Sequence, residues 1–316
     1  MIVILTVMEK KSYAVFDIGS NSLILTVAKT DGDVLKITDQ FQEITRLSEG
    51  IDDEKKLRGE RFEFCIDVIN SLKSRLDPAD TVILDAVITS PGREITNSDD
   101  VLDEIFRCTG IGARVISGQE EAEFSFSGAA AFSHDEELSV VDLGGGSVEV
   151  MVGKSSEYAP AISESFSTGA LKIMKKFMNE KGRYRIGPAM RNTLSDICGV
   201  SELINGAALG IGGVFTSIAM MEKELSYFYP GSVQGFRISS AILRKWIEKL
   251  NNMPRFARKE ITGLHPERSD SIIGGLIIAE TLLGLTGGDV IVSESGLRIG
   301  ILRNRLNAVR AEYHYD

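Results

Sequence analysis

Two short stretches carry the residues best suited to chemistry. VFDIGSNS closes an apolar run with Asp17 and follows it with Gly19, Ser20, Asn21 and Ser22, while VVDLGGGS does the same with Asp142, Gly144, Gly145, Gly146 and Ser147. In a hairpin turn built from such small residues, consecutive backbone N–H groups converge on a concavity that binds an anion, and the hydroxyl and amide side chains add donors. An aspartate repels phosphate on its own, but it serves if a divalent cation such as magnesium lies between them. One such loop alone reads first as a plain glycine turn capped by aspartate. Two copies of one signature, apolar-apolar-Asp-apolar-Gly-x-x-Ser, read as paired phosphate loops facing each other across a cleft. A third glycine group, GIGG with Gly212 and Gly213, follows an apolar run and opens a helical pattern. Amides at such a junction receive anions, although glycine packing at a strand-helix crossover accounts for it equally well.

The elements that must position these loops follow from periodicity. Strands are expected at 13–17, 23–28 and 34–37. A helix through Leu57, Phe62, Ile66, Ile69, Leu72 and Leu76 comes next, then a strand at 81–88, a helix from Ser98 stopped by Gly110, a strand at 113–116 and a helix from about Gln119. After the acidic stretch SHDEEL the order begins again. Strands are expected at 140–142, 148–152 and 158–165, helices at 170–177 and 189–203, a strand at 207–211 and a helix over 215–225. Further helices, a strand at 290–292 and a last helix from Leu297 complete the pattern. The two halves share one ground plan with no Pro- or Ser-rich linker between them, so a compact hinge is expected. The apolar helices over 272–285 and 297–306 read as core.

Composition narrows the function classes. At 316 residues and 43% hydrophobic, the chain is long enough for two cores. Its net charge of −10 argues against non-specific nucleic-acid binding, which relies on basic surfaces, and leaves room for an anionic substrate only where cations are locally concentrated. Cys65, Cys108 and Cys198 are scattered and odd in number, as expected of a reducing cytoplasm without disulfides or zinc. His134, His265 and His314 are equally dispersed. The opening MIVILTVM is too short for a membrane span and lacks the flanks of a signal peptide; it reads as a lead-in, with Met8 a second candidate start.

Taken together, VFDIGSNS, TSPGREITNS, ISGQEEAEFSFSGA, VVDLGGGSVEV, STGALKIMKKF, LGIGGVFTSIA, GLHPERSD and SGLRIG resemble, in order and spacing, the exopolyphosphatase and guanosine pentaphosphate phosphohydrolase (Ppx/GppA) family. The resemblance runs from about Ser12 to Leu302. It implies an α/β fold of duplicated ribonuclease H-like domains, as in actin, hexokinase and chaperone ATPases, with an interdomain cleft. The first domain is then 1–118, joined by a C-terminal helix at about 300–316, and the second is 119–299. The resemblance further implies that Glu121 is the catalytic base, that Arg93 is the motif arginine, and that Asp142 and Glu149 hold Mg²⁺ or Mn²⁺, with Asp17 on the opposing loop. By residue type alone, Glu120-Glu121 reads as a solvated helix start and Arg93 as a surface ion pair. Two positions depart from the family pattern: Val214 stands where many relatives carry a small hydroxyl residue, and Ile299 where they carry Glu.

The implied activity is hydrolysis of terminal phosphoanhydrides of polyphosphate or guanosine pentaphosphate, with short chains expected because the extra domains of longer relatives are not found in this sequence. Two rivals stay open: an ATP-dependent kinase or ATPase of the same fold, and a non-catalytic sensor of polyphosphate or alarmone. Self-association into a homodimer also stays open.

Overall fold

The computed structural model describes residues 11–133, 136–204, 206–307 and 310–313. The lead-in at 1–8, His134 and Asp135 of the SHDEEL stretch, and the separate His314 lie outside the described residues. The chain divides into two compact units, Met1–Phe124 with Leu297–Asp316, and Ser125–Gly296.

The first unit begins with a meander, β1 (Ser12–Ile18), β2 (Leu23–Asp31) and β3 (Val34–Glu43), followed by α1 (Glu60–Lys73) and β4 (Thr81–Ile88). It continues through α2 (Ser90–Glu94), α3 (Ser98–Thr109), the two-residue β5 (Arg114–Val115) and α4 (Gly118–Ala130), which runs on past the unit boundary. Tyr13 to Phe16 of β1 are buried in unbroken succession, as expected of a central strand covered on both faces. α1 buries Phe62, Cys65, Ile66, Ile69 and Leu72 at helical spacing into the cluster that holds Phe16, Leu23 and Leu25. α3 stops at Gly110, whose φ of 68° closes the helix in the left-handed region.

The second unit repeats the opening with β6 (Glu137–Leu143), β7 (Val148–Lys154) and β8 (Ile162–Phe166), then α5 (Ala170–Phe177), α6 (Ile186–Ile197) and α7 (Val200–Leu203). The single helix expected over 189–203 is therefore two, interrupted at Cys198-Gly199. β9 (Gly206–Ile211), α8 (Gly213–Glu222), β10 (Arg237–Ile238), α9 (Ser240–Asn252), α10 (Ile272–Thr286) and β11 (Gly287–Val292) follow. α10 is buried almost all round, which explains why its sequence is apolar without a polar face. The chain ends with α11 (Leu297–Leu306) and β12 (Arg310–Tyr313), both in the first unit.

Each sheet has six strands, ordered β12-β3-β2-β1-β4-β5 and β10-β11-β9-β6-β7-β8. Within them, β3-β2-β1-β4-β5 and β8-β7-β6-β9-β11 are the same path: an antiparallel meander whose first strand then pairs in parallel with the fourth. The extra strand joins the β3 edge in one sheet and the β11 edge in the other.

Candidate functional site

In each unit the central strand delivers its aspartate to the C-terminal edge of the sheet, where the hairpin turns. The two turns close with the same bond: Gly19 N–H donates to Ser22 O at 3.0 Å, and Gly144 N–H donates to Ser147 O at 3.0 Å. Beyond that bond the hairpins differ.

In the first unit, Asp17 faces Ile24 across the hairpin. Its carboxylate pairs with Arg298 of α11 at 3.1 Å, and Arg298 Nε also donates to Thr26 Oγ1 at 3.0 Å. The side chains of the pair are only 14% and 11% exposed. Burial raises the Asp17 pKa above its ordinary value, and the charge and hydrogen bond of Arg298 offset only part of that rise. Asp17, expected beside a cation, thus has a guanidinium in that place. The turn itself is braced from behind, with Ser20 O and Asn21 O accepting from Ser48 N and Arg46 N.

The adjoining strand β4 leads into α2, where Thr89 N–H donates to Ile18 O next to the hairpin. Four residues later, Arg93 Nη1 donates to Glu121 Oε2 at 2.7 Å and to Ile116 O at 3.0 Å. Glu121 stands in the first turn of α4, where Ser117 caps the helix by accepting from Glu120 N at its Oγ and from Glu121 N at its carbonyl. Arg93 and Glu121 are 32% and 25% exposed, so the pair is fixed yet open to water. Sequence spacing brought neither residue to the other; the fold does.

In the second unit, Asp142 and Glu149 are direct cross-strand partners in the hairpin register. Like charges directly opposite are destabilising, with side chains about 5 Å apart at Cβ, unless something positive lies between them. Ser165 Oγ donates to Glu149 Oε1 at 2.9 Å, adding a hydroxyl to the two carboxylates. This all-oxygen donor set suits Mg²⁺ or Mn²⁺. Among the described residues no group of three or more His, Cys, Asp or Glu side chains assembles, so the protein would supply the two carboxylates and leave the remaining positions to water and substrate.

The Gly144–Ser147 turn is held from below by α5, whose Ala170 and Leu171 amides donate to Gly144 O and Gly145 O. β9 passes into α8 at Gly212-Gly213, and Asp142 Oδ1 lies 3.0 Å from the space a Cβ on Gly212 would fill. The guanidinium of Arg268 occupies the space a Cβ on Gly213 would fill, with its nitrogens 2.1 and 2.3 Å from that point. Burial pulls the Arg268 pKa down to about 10, which leaves it cationic at neutral pH. Its guanidinium makes no hydrogen bond or ion pair among the described residues. A half-buried guanidinium at a helix N-terminus beside a glycine turn has the charge and the position to meet an anion. Arg268 belongs to GLHPERSD, so the signal was in the sequence, but no spacing rule tied it to Gly213.

The two departures from the family pattern both lie in the core. Val214 is 5% exposed and packs against Gly275 of α10, and Ile299 is 1% exposed. No helix of the described residues is long and apolar enough to cross a membrane.

A bifunctional 3-dehydroquinate synthase/phosphatase of Fusobacterium nucleatum is 27% identical over 312 residues, covering 92% of this chain, which spans only 46% of that longer protein. Exopolyphosphatase 2 of Mycobacterium tuberculosis is 26% identical over 295 residues, covering 85% of this chain and 89% of the relative. The solved Ppx/GppA family member of Aquifex aeolicus superimposes with a TM-score of 0.80 at 24% identity, covering 95% of this chain and 98% of that one. That match gives the fold, the actin-like two-domain α/β architecture. The Ppx/GppA phosphatase family model itself matches residues 26–308, and with the duplicated hairpins already in view this chain belongs to that family.

Proposed function

We propose that the chain hydrolyses the terminal phosphoanhydride bond of inorganic polyphosphate, with guanosine pentaphosphate as a second substrate of the same chemistry, and releases orthophosphate. The observation that carries the reading is the Arg93–Glu121 pair, a carboxylate fixed by a guanidinium at 2.7 Å yet still partly exposed. The exopolyphosphatase activity named for the Mycobacterium tuberculosis relative supports the choice of polymer.

Glu121 accepts a proton from a water molecule, whose oxygen bonds to the terminal phosphorus as the bridging P–O bond breaks and the shortened chain leaves with that oxygen. Arg93, already bonded to Glu121, carries positive charge to where the transferring phosphoryl gains negative charge. Within the second unit, the amides of the Gly144–Ser147 turn and the Arg268 guanidinium are suited to phosphate oxygens. A divalent cation on Asp142 and Glu149 would neutralise the phosphates and offset repulsion from the carboxylates. The acceptor is water, as hydrolysis of a phosphoanhydride requires.

The test is phosphate release from tripolyphosphate, long-chain polyphosphate, guanosine pentaphosphate and ATP. Glu121→Gln should lower kcat by about 10²–10⁴-fold on the first two substrates while binding is retained. A Glu121→Gln protein that turns over polyphosphate at the wild-type rate would reject the assignment, and ATP as the preferred substrate would reject the substrate class.

A further inference from the structure

We propose that Arg114 is a positioning residue for the reaction, because it takes possession of Glu120 and thereby leaves Arg93 to Glu121 alone. The proposal rests on Glu121 serving as the base.

Glu120 and Glu121 are neighbours in the first turn of α4, and two guanidinia approach that turn. Arg93 bonds Glu121. Arg114 Nη1 bonds Glu120 Oε1 at 2.7 Å, and its Nε and Nη2 clasp Asp85 of β4 at 2.8 to 3.2 Å. Asp85 is 7% exposed at its side chain and also accepts from Arg305 of α11 at 3.1 Å. Arg114 is therefore set by a fork-to-carboxylate grip on a buried anchor, and its remaining nitrogen points at one carboxylate of the pair. This geometry is directional in a way that a lysine cannot copy.

The arrangement sorts charge. Adjacent carboxylates at one helix end compete for any nearby cation, and a base that shares its guanidinium with a neighbour has more than one resting position. With Arg114 on Glu120, each carboxylate has its own arginine, and Arg93, tied as well to Ile116 O, has one place to be. Without Arg114, Glu120 is an uncompensated anion one residue from the base, free to draw Arg93 away. Small displacements of a base cost heavily, by about 10²-fold for 1 Å.

The experiment measures tripolyphosphate hydrolysis by the wild type, Arg114→Met, Arg114→Lys and the double variant Arg114→Met/Glu120→Gln, with melting midpoints to confirm folding. Arg114→Met should lower kcat about 10- to 100-fold with KM unchanged. Arg114→Lys should fall between it and the wild type. The double variant should recover most of the lost kcat, because the competing carboxylate is gone. A purely structural role predicts the opposite, with the double variant no better than the single. That result, or wild-type kcat in Arg114→Met, would overturn the proposal. If Arg114→Met does not fold, Arg114→Lys with and without Glu120→Gln makes the same comparison. Glu121→Gln is assayed alongside: full activity there rejects the base itself, whereas an inactive Glu121→Gln with a normal Arg114→Met rejects only the role of Arg114.

Discussion

Asp17 and Asp142 occupy the same place in two copies of one signature, yet their surroundings differ. Asp142 faces a second carboxylate across its hairpin, while Asp17 faces Ile24 and is ion-paired to Arg298. Removing one partner of a largely buried pair leaves the other charged and desolvated. Arg298→Met should therefore destabilise the first unit by about 3 kcal/mol at neutral pH, measured by chemical denaturation. The pH dependence has a definite sign. The Asp17 pKa is already raised in the folded protein, so its contribution favours folding below its ordinary value and is lost as pH rises through the folded value. Loss of Arg298 raises that pKa further. The deficit of Arg298→Met should accordingly shrink as the medium is made mildly acidic and Asp17 becomes neutral. A deficit that grew on acidification would contradict the pairing.

Helix contacts set tolerances that single residues do not reveal. α11 crosses α4 so closely that a Cβ on Gly300 would stand 1.8 Å from Phe124 O. Because the obstacle is backbone, no side-chain rotation relieves it. Gly300→Ala should lose about 3 kcal/mol, seen as a lower denaturation midpoint with an unchanged slope.

The same elements show what the sequence can and cannot announce. Periodicity locates β1, β2, α3 and α10 because each is long enough to display a buried face or run, and α11 because Leu297 and Leu306 bracket a clear stripe. It misses the two-residue β10 and carries the C-terminal helix expected at about 300–316 across β12, whereas α11 ends at Leu306 and 310–313 pair with β3; both short strands owe their conformation to a neighbouring strand and not to their own pattern. It merges α6 with α7 because the apolar stripe continues across Gly199. The two hairpin turns are legible in their repeated signature, and both close with the same Gly-to-Ser backbone bond. Their partners are not: Arg298 lies 281 positions from Asp17, and Arg93 lies 28 from Glu121. No local rule links residues that only tertiary packing brings within hydrogen-bond reach.

At the scale of the whole molecule, each unit has its own apolar centre, one built around Phe16, Leu25 and Ile69, the other around Phe215, Leu243 and Ile277. Two such centres in one chain favour separable melting. Calorimetry should give a total unfolding enthalpy larger than the van't Hoff value from the same transition, and substrate should raise the midpoints. Equal enthalpies would mean that the units unfold as one.

The return of β12 to the outer edge of β3 carries a further consequence, for biosynthesis. A ribosome releases the N-terminal strands long before residues 310–313, and every residue of the second unit emerges in between. Through that interval the growing polypeptide exposes an unpaired β3 border, and Asp17 waits without its guanidinium. The second unit, continuous in the chain, can mature first, and the first is completed only when the tail emerges and docks.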